Sequence, residues 1–295
     1  MQLATHEADV ISRIVRWADT QDLIRLVLLT SSRVNPRAPL DILSDYDIAL
    51  IVANARPYAN SDRWLNGFGN PLLVVRDTER MFGMRKHNCM VLYDDGTKVD
   101  YSIWPLSLIE RIRDKGGLPD EFDVGYRVLL DKDSLTRDLP PPTYTAHIPN
   151  KPTEQEFQKL IEEFWWGTTY VAKYLWRDEL MPAKIMLDYE LKYLLVRRLL
   201  EWRLELDHGW SVKPGFFGRG LKKYLDAGTW AQFEATYVGP GHADNWAALF
   251  RLTDLFRRVA MEVGRALGYD YPHDMDAQVM LYLQQIQRLG SPKSE

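Results

Sequence analysis

One proline-rich stretch does most to limit what this chain can fold into. Residues 138–153 read DLPPPTYTAHIPNKPT, a segment without hydrophobic periodicity that is typical of a linker. Before it, the apolar runs are short, as expected of β-strands. After it, apolar residues recur at helical spacing over much longer segments. We therefore predict two domains, residues 1–138 and 153–295, joined by a linker over 139–152.

The first half has an α/β pattern and the second half is all-helical. Residues 7–19 place apolar side chains at helical spacing, which predicts an amphipathic helix. Short strand-type runs follow at 24–29, 47–52, 72–75 and 126–131. The run MVLYDDGTKVDYSI contains Asp95-Gly96, the strongest short-range hairpin signal, and predicts two strands within residues 90–103.

Composition excludes several classes of protein. Apolar residues make up 46% and charged residues 26% of the chain, as in soluble globular proteins. A net charge of -4 excludes a strongly basic surface over the whole molecule, so a nucleic-acid partner is not expected, although a local basic cleft stays open. Cys89 is the only cysteine, which excludes an intrachain disulfide and favours a cytoplasmic location. We expect no membrane partner, because no run of about 18 apolar residues occurs and the N-terminal region carries acids.

Three aspartates are candidates for a metal site. Asp45 and Asp47 lie two residues apart at the start of a predicted strand, so their carboxylates project on one face. Asp100 lies on the return strand of the Asp95-Gly96 hairpin. If that strand pairs beside 47–52, three acids converge. Hard oxygen ligands suit Mg²⁺, and two such ions about 3.5–4 Å apart would clamp the oxygens of an in-line displacement.

Each of these features also has a purely structural interpretation. An Asp-x-Asp pair is common in turns, and Asp100 could be a solvated edge residue. Ser31 and Ser32 follow a predicted strand, and serines there are often only turn formers, although backbone N–H groups and hydroxyls in such a turn can hold a phosphate. The order strand, hydroxyl turn, Asp-x-Asp strand, hairpin and aspartate favours a functional site.

The order of these residues along the chain resembles that of a known family. The order Ser31-Ser32-Arg33, then the pair Asp45 and Asp47, then Asp100 is similar to nucleotidyltransferases related to DNA polymerase β. More narrowly, the chain resembles the aminoglycoside 6-adenylyltransferases, which modify streptomycin. The resemblance covers nearly the whole chain and rests on SSRVNPRAPLDILSDYDIALIV, VLYDDGTKVDYSIWP, EFWWGTTYVAKYLWRDELMPAKIMLD and LLEWRLELDHGWSVKPGFFGRGLKKYL.

The resemblance implies both a fold and a reaction. The fold would be α+β, with an N-terminal nucleotidyltransferase domain whose mixed β-sheet is flanked by helices, a C-terminal α-helical bundle, and an active site between them. The reaction would transfer AMP from ATP to an aminoglycoside hydroxyl, release pyrophosphate and require Mg²⁺, with two ions expected. Asp45 and Asp47 would be metal ligands, and Asp100 would be the third acid and the general base.

The resemblance also implies a role in nucleotide binding for the hydroxyl turn. Ser31, Ser32 and Arg33 would contact the nucleotide phosphates. The family usually has Gly-Ser-Arg, however, and here Ser31 stands at the glycine position. Glycine adopts positive φ without a steric penalty, so serine is expected to weaken nucleotide binding or to widen the turn.

The helical half contains candidates for binding both substrates. An aromatic belt and nearby acids would suit a polycationic drug, with core packing or simple solvation as the alternative for each residue. These candidates are Trp165, Trp166, Tyr170, Glu163, Asp178 and Asp188. Lysines that could meet the triphosphate are Lys184, Lys192, Lys213, Lys222 and Lys223.

Two other functions remain open at the level of sequence. The acceptor could be another small molecule, a protein side chain or an RNA end. Alternatively, the protein could bind a nucleotide without turnover, which Ser31 would favour.

Overall fold

The chain forms two compact units. The computed structural model describes residues 7–36, 38, 40–212 and 214–289. One unit comprises residues 1–146 and the other residues 147–295. The division between them lies inside the segment for which the sequence predicts a linker.

The first unit is built on one mixed sheet. An amphipathic helix, α1 (Glu7–Asp19), precedes it. The strands are β1 (Ile24–Thr30), β2 (Tyr46–Val52), β3 (Pro71–Met81), β4 (Met84–Tyr93), β5 (Lys98–Pro105) and β6 (Tyr126–Asp131). They lie in the order β3-β4-β5-β2-β1-β6, and the pairs are antiparallel except for β2 with β5. The predicted fold class is confirmed.

Alternation along β2 divides its side chains between the two faces of the sheet. Ile48 and Leu50 pack in a cluster that includes Val10 of α1. Ala49 and Ile51 lie in a second cluster on the other face, together with residues of α3 (Ser107–Lys115). Because side chains alternate along a strand, Asp47 belongs to the second face.

The sequence underestimates the secondary structure of the first unit. β3 continues to Met81, well beyond the predicted 72–75, because a long hairpin with β4 supplies backbone partners to its polar half. The helix α3 was not predicted, and the same holds for the short helices α2 (Arg56–Ala59) and α4 (Asp120–Asp123). The predicted Asp95-Gly96 hairpin joins β4 to β5, with Gly96 at φ 84°.

The second unit is helical, as predicted. Helices are numbered in chain order, and the longest of this unit are α5 (Glu154–Trp176) and α10 (His242–Leu267). The ring of Phe164 in α5 stacks on the ring of Phe256 in α10, with the ring centres 3.6 Å apart. The other α-helices are α6 (Leu180–Lys184), α7 (Arg197–His208), α8 (Leu221–Tyr224), α9 (Ala227–Glu234) and α11 (His273–Arg288). No helix in the described ranges combines the length and apolar character that crossing a membrane requires.

A π-helix lies within the helical second unit. It runs from Ile185 to Val196, between α6 and α7, and it packs against α5. Gly167 of α5 permits this approach, since a Cβ there would lie 2.6 Å from the Leu191 side chain. Long π-helical segments are rare and occur often at functional sites.

Candidate active site

The parallel pairing of β2 with β5 brings two acids together. Asp47 and Asp100 are direct partners in the register, so their side chains leave the same face of the sheet from neighbouring strands. Thr30 is the partner of Asp47 on its other side. Asp45 lies one residue before β2, at the entrance to the strand. The three predicted acids therefore lie at one end of two adjacent strands.

These acids lie in an environment that disfavours their charge. Burial, followed by the nearby Asp100 carboxylate, raises the pKa of Asp47 to about 6, while a hydrogen bond from Ser31 opposes the shift. Burial also raises the pKa of Asp100, against the effect of Lys98. The Oδ1 atom of Asp100 is buried without a hydrogen-bond partner among the described residues. A cation at this position would relieve the repulsion between the carboxylates.

Asp45 is already paired with a lysine. Its Oδ2 accepts a hydrogen bond from Lys98 Nζ at 2.7 Å. This bond raises the pKa of Lys98, with further contributions from Asp100 and Asp47. Sequence reasoning missed Lys98, although it lies two residues before Asp100 and alternation places both on one face.

The donor chemistry of the acids fits a magnesium site. Carboxylate oxygens are the ligands that Mg²⁺ prefers, and it completes its shell with water and substrate phosphates. Within the described parts of the chain, no three acid, histidine or cysteine side chains already stand close enough to hold a metal ion. The ion pair between Asp45 and Lys98 is a physical reason why Asp45 does not stand together with Asp47 and Asp100.

The hydroxyl turn adopts the conformation that the expected glycine would favour. Residues Ser31–Arg33 form a single 3₁₀ turn directly after β1. Ser31 has φ 63°, in the left-handed region. That conformation costs a non-glycine residue roughly 1–2 kcal/mol, and the Ser31 side chain regains part of this cost through its hydrogen bond to Asp47. Ser31 therefore has the backbone conformation that glycine favours, while its effect on the width of the turn and on nucleotide binding stays a prediction.

Arg33 is occupied with the loop that carries Asp45. Its Nε donates to the Asp45 carbonyl at 2.9 Å and its Nη2 to the Ser44 carbonyl at 2.6 Å. Its Nη1 pairs with Glu7, and the guanidinium lies 3.7 Å from the centre of the Tyr46 ring. Arg33 therefore fixes the approach to β2, while its contact with phosphates stays a prediction.

A polar network lies on the same face, beside the acids. Lys86 Nζ pairs with Glu121 at 2.6 Å and with Glu79 at 3.0 Å. Ser102, two residues after Asp100, donates to Glu121 at 2.6 Å. The Glu121 charge contributes to the raised pKa of Asp47. No motif in the sequence indicated this network, because its members come from four separate elements.

In the second unit, the structure joins three of the predicted site residues to one another. Asp188 accepts from Lys184 at 2.7 Å and from Lys192 at 2.6 Å. Lys192 is 0% exposed and also donates to the Thr236 carbonyl. Lys184 donates to the Val238 carbonyl. These contacts tie the π-helix to the segment after α9, and binding of a nucleotide by the two lysines stays a prediction.

The predicted aromatic residues divide between core and surface. Trp165 is 1% exposed, lies in the hydrophobic core and donates its ring N–H to Tyr271, so it offers a substrate no surface in this conformation. Trp166 is 67% exposed, and its ring meets the half-buried Tyr170 edge-on. Lys173 lies over the Tyr170 ring at 4.2 Å, which shows that this ring can accept a cation.

The remaining predicted residues of the second unit lie on its surface. Glu163 is exposed and lies 3.7 Å from Lys159, and Asp178 is exposed after the end of α5. Lys222 and Lys223 of α8 are exposed. Lys213 lies outside the described residues.

The raised pKa of Asp47 predicts a specific pH dependence of stability. The folded state binds a proton that the unfolded state releases between pH 4 and 6, so stability falls as pH rises through that window. In EDTA, we expect Asp47→Asn to be more stable than the parent at pH 7.5 by about 1–3 kcal/mol, and equal to it near pH 4. Urea unfolding at both pH values checks this. Asp114→Asn, which changes an exposed aspartate, is the matched control. If the difference in unfolding free energy between Asp47→Asn and the parent were the same at both pH values, the raised pKa of Asp47 would be contradicted.

A second prediction separates a structural role of Lys192 from nucleotide binding. Lys192→Met leaves the Thr236 carbonyl without its ammonium partner, so we expect a loss of about 1–3 kcal/mol in unfolding free energy. If Lys192 is structural, the KM for ATP, the co-substrate that the resemblance implies, should stay within twofold of the parent value. Urea unfolding and initial rates measure the two quantities, with Lys184→Met as the less buried control. A large rise in KM without loss of stability would instead assign Lys192 to the nucleotide.

Comparisons with known proteins show which family the chain belongs to. The streptomycin adenylyltransferase family model matches residues 5–286. An aminoglycoside 6-adenylyltransferase of Bacillus subtilis (strain 168) is 30% identical over 284 residues, 95% of this chain and 97% of the relative. An enzyme of the same name from Campylobacter jejuni is 31% identical over 270 residues, 90% of this chain and 91% of the relative.

A solved structure extends the comparison. The crystal structure of an aminoglycoside 6-adenyltransferase from Bacillus subtilis is 26% identical and covers 96% of this chain and 99% of its own, with a TM-score of 0.45. The family match spans most of the sequence, and the resemblance read from the motifs is confirmed. The chain belongs to the streptomycin adenylyltransferase family and is a nucleotidyltransferase.

Proposed function

We propose that this enzyme transfers AMP from ATP to a hydroxyl of an aminoglycoside such as streptomycin and releases pyrophosphate, in a reaction that requires Mg²⁺. The observation that carries the proposal is the register of β2 and β5, which pairs Asp47 with Asp100. Family membership supports adenylyl transfer, and the names of the relatives support an aminoglycoside as acceptor.

The three acids are the proposed ligands of the metal. Asp45, Asp47 and Asp100 would hold up to two Mg²⁺ ions, whose charge neutralises the phosphate oxygens when bound. The support is electrostatic. Two of the carboxylates have raised pKa values because they are buried near other acids, and one buried oxygen of Asp100 has no partner among the described residues.

Asp100 is the proposed general base. Its place opposite Asp47 in the register puts its carboxylate beside the other two acids, and a carboxylate within hydrogen-bond reach of the acceptor hydroxyl can take its proton. The acceptor hydroxyl loses its proton to the Asp100 carboxylate, and its oxygen forms a bond to the α-phosphorus of ATP. The bond from that phosphorus to the oxygen leading to the β-phosphate breaks, and pyrophosphate leaves with the electron pair.

The hydroxyl turn is the proposed phosphate-binding element. Ser31 and Ser32 lie at the end of β1 beside the acids, where backbone N–H groups can meet the triphosphate. Arg33 would contribute by fixing the loop and by its positive charge. The proposal is supported by the positive φ of Ser31, which is the conformation that a glycine would favour at this position.

The helical unit is proposed to bind the acceptor. Trp166 and Tyr170 present aromatic surface near the acid Glu163, a combination that attracts a polycationic drug. Asp178 is a further acid on this unit.

Turnover tests the roles of the acids. With ATP, MgCl₂ and streptomycin, we expect pyrophosphate release by the parent protein. Asp47→Asn should abolish it, because a proposed metal ligand is lost. Asp100→Asn should lower kcat by a factor of about 10²–10⁴, the usual contribution of a general base.

Two controls accompany the turnover measurement: an exposed Asp→Asn substitution and other acceptors. Asp114→Asn should keep the parent rate. Release with other acceptors but not with streptomycin would overturn the proposed substrate. ATP binding without release by the parent protein would overturn the proposed reaction.

Substitutions at Ser31 test the turn. Ser31→Gly removes the left-handed strain but also the hydrogen bond to Asp47, so we expect stability within about 1 kcal/mol of the parent and an equal or lower KM for ATP. Ser31→Val should destabilise the protein and raise that KM, because a β-branched residue is disfavoured at positive φ. Urea unfolding and initial rates distinguish these outcomes. A valine variant with parent-like stability and KM would show that the turn does not need this conformation.

A further inference from the structure

Lys98 is the described cation that pairs with one of the proposed metal ligands. Its ammonium lies 2.7 Å from Asp45 Oδ2, and its side chain is 49% exposed. It follows the Asp95-Gly96 turn as the first residue of β5, and Asp100 lies two residues further along the same face. The charges of Asp100 and Asp47 also act on it. One flexible side chain therefore faces all three acids.

Two further described cations of the first unit, Lys86 and Arg33, have other partners. Lys86 is held by Glu121 and Glu79. Arg33 donates to two backbone carbonyls and pairs with Glu7. Among the side chains that the structure describes, Lys98 is the only one that forms an ion pair with Asp45, Asp47 or Asp100.

We propose that Lys98 and a divalent cation compete for the Asp45 carboxylate, so that metal binding requires Lys98 to release Asp45. The inference rests on the proposed magnesium site. It makes Lys98 a positioning residue, which acts through Asp45 and not on the reacting atoms. The exposure of its side chain allows the ammonium to move into solvent without breaking the sheet.

Competition and a purely structural role predict opposite changes in metal affinity when Lys98 is removed. Removing Lys98 should tighten metal binding, because Asp45 becomes free and a repelling positive charge is lost. For an exposed ion pair the expected gain is about fivefold, equivalent to about 1 kcal/mol. The gain should shrink in high salt, which screens an exposed pair. If Lys98 only supported the fold, its loss would leave metal affinity equal or weaker.

Direct metal binding provides the test. Binding of Mn²⁺ alone, followed by electron paramagnetic resonance of the free ion, is compared between the parent, Lys98→Met, Lys98→Arg and Lys115→Met. Lys115 is exposed on α3 and its substitution makes the same change in net charge. We expect about fivefold tighter binding for Lys98→Met and values close to the parent for the other two.

The outcomes separate this inference from the proposed function. If the parent binds Mn²⁺ and Lys98→Met binds it no more tightly, the role of Lys98 is wrong while the metal site stands. If Lys115→Met gains as much as Lys98→Met, the effect is one of net charge and the inference is likewise overturned. If neither the parent nor any variant binds Mn²⁺, both the inference and the metal site are overturned.

A thermal measurement gives a second readout that does not use activity. In EDTA, we expect Lys98→Met to melt below the parent, because the acids lose their counter-charge. Added MgCl₂ should raise the melting temperature of Lys98→Met by more than that of the parent. An equal or smaller increase would contradict the competition.

Discussion

The site depends on one parallel strand pair in an otherwise antiparallel sheet. Because β2 and β5 run in the same direction, Asp47 and Asp100 meet as direct partners on one face. A shift of one residue in this register would turn one of the two carboxylates to the opposite face, where Ile48 and Tyr101 pack. The apolar residues that follow each aspartate hold the register, since both faces of the sheet are buried there. The rigidity of the site is therefore a consequence of the core.

That placement creates an electrostatic problem that the rest of the site addresses. Buried acids close together resist ionisation, which is why the pKa of Asp47 rises to about 6. Nearby side chains stabilise the negative charges: Ser31 donates a hydrogen bond to Asp47, and Lys98 pairs with Asp45. Lys86 neutralises Glu121, the next acid along the face. A divalent cation would complete the compensation, and nucleotide phosphates would follow it into the site.

The sequence predicts the elements whose signals are local. The alternation and apolar runs of β1, β2 and β6 predict these strands to within one residue, and periodicity predicts α1 at its observed bounds. Asp95-Gly96 predicts the hairpin that carries Asp100. The long β3 is underestimated, because its polar half depends on backbone pairing with β4 and not on its own side chains.

Long-range contacts are what the sequence does not reveal. Lys192 donates to Asp188 and to the carbonyl of Thr236, which is distant in the chain, so a lysine that the sequence suggested for the triphosphate is buried. Trp165 belongs to the core for the same reason, although Trp166 beside it is exposed. At Ser31, the residue type argued against the glycine conformation, and the hydrogen bond to Asp47 helps to hold it there. Lys98 was visible in the strand pattern, but its role depends on the loop position of Asp45.

The central claim is that Asp45, Asp47 and Asp100 together bind the divalent cation that accompanies ATP. The most direct measurement is anomalous diffraction from crystals grown with Mn²⁺ and an ATP analogue that cannot be cleaved at the α-phosphate. The account predicts a manganese peak in direct coordination with carboxylate oxygens of these residues and with the phosphates, and with Lys98 no longer bonded to Asp45. A peak elsewhere, or a bound nucleotide whose phosphates lie away from β2 and β5, would contradict it.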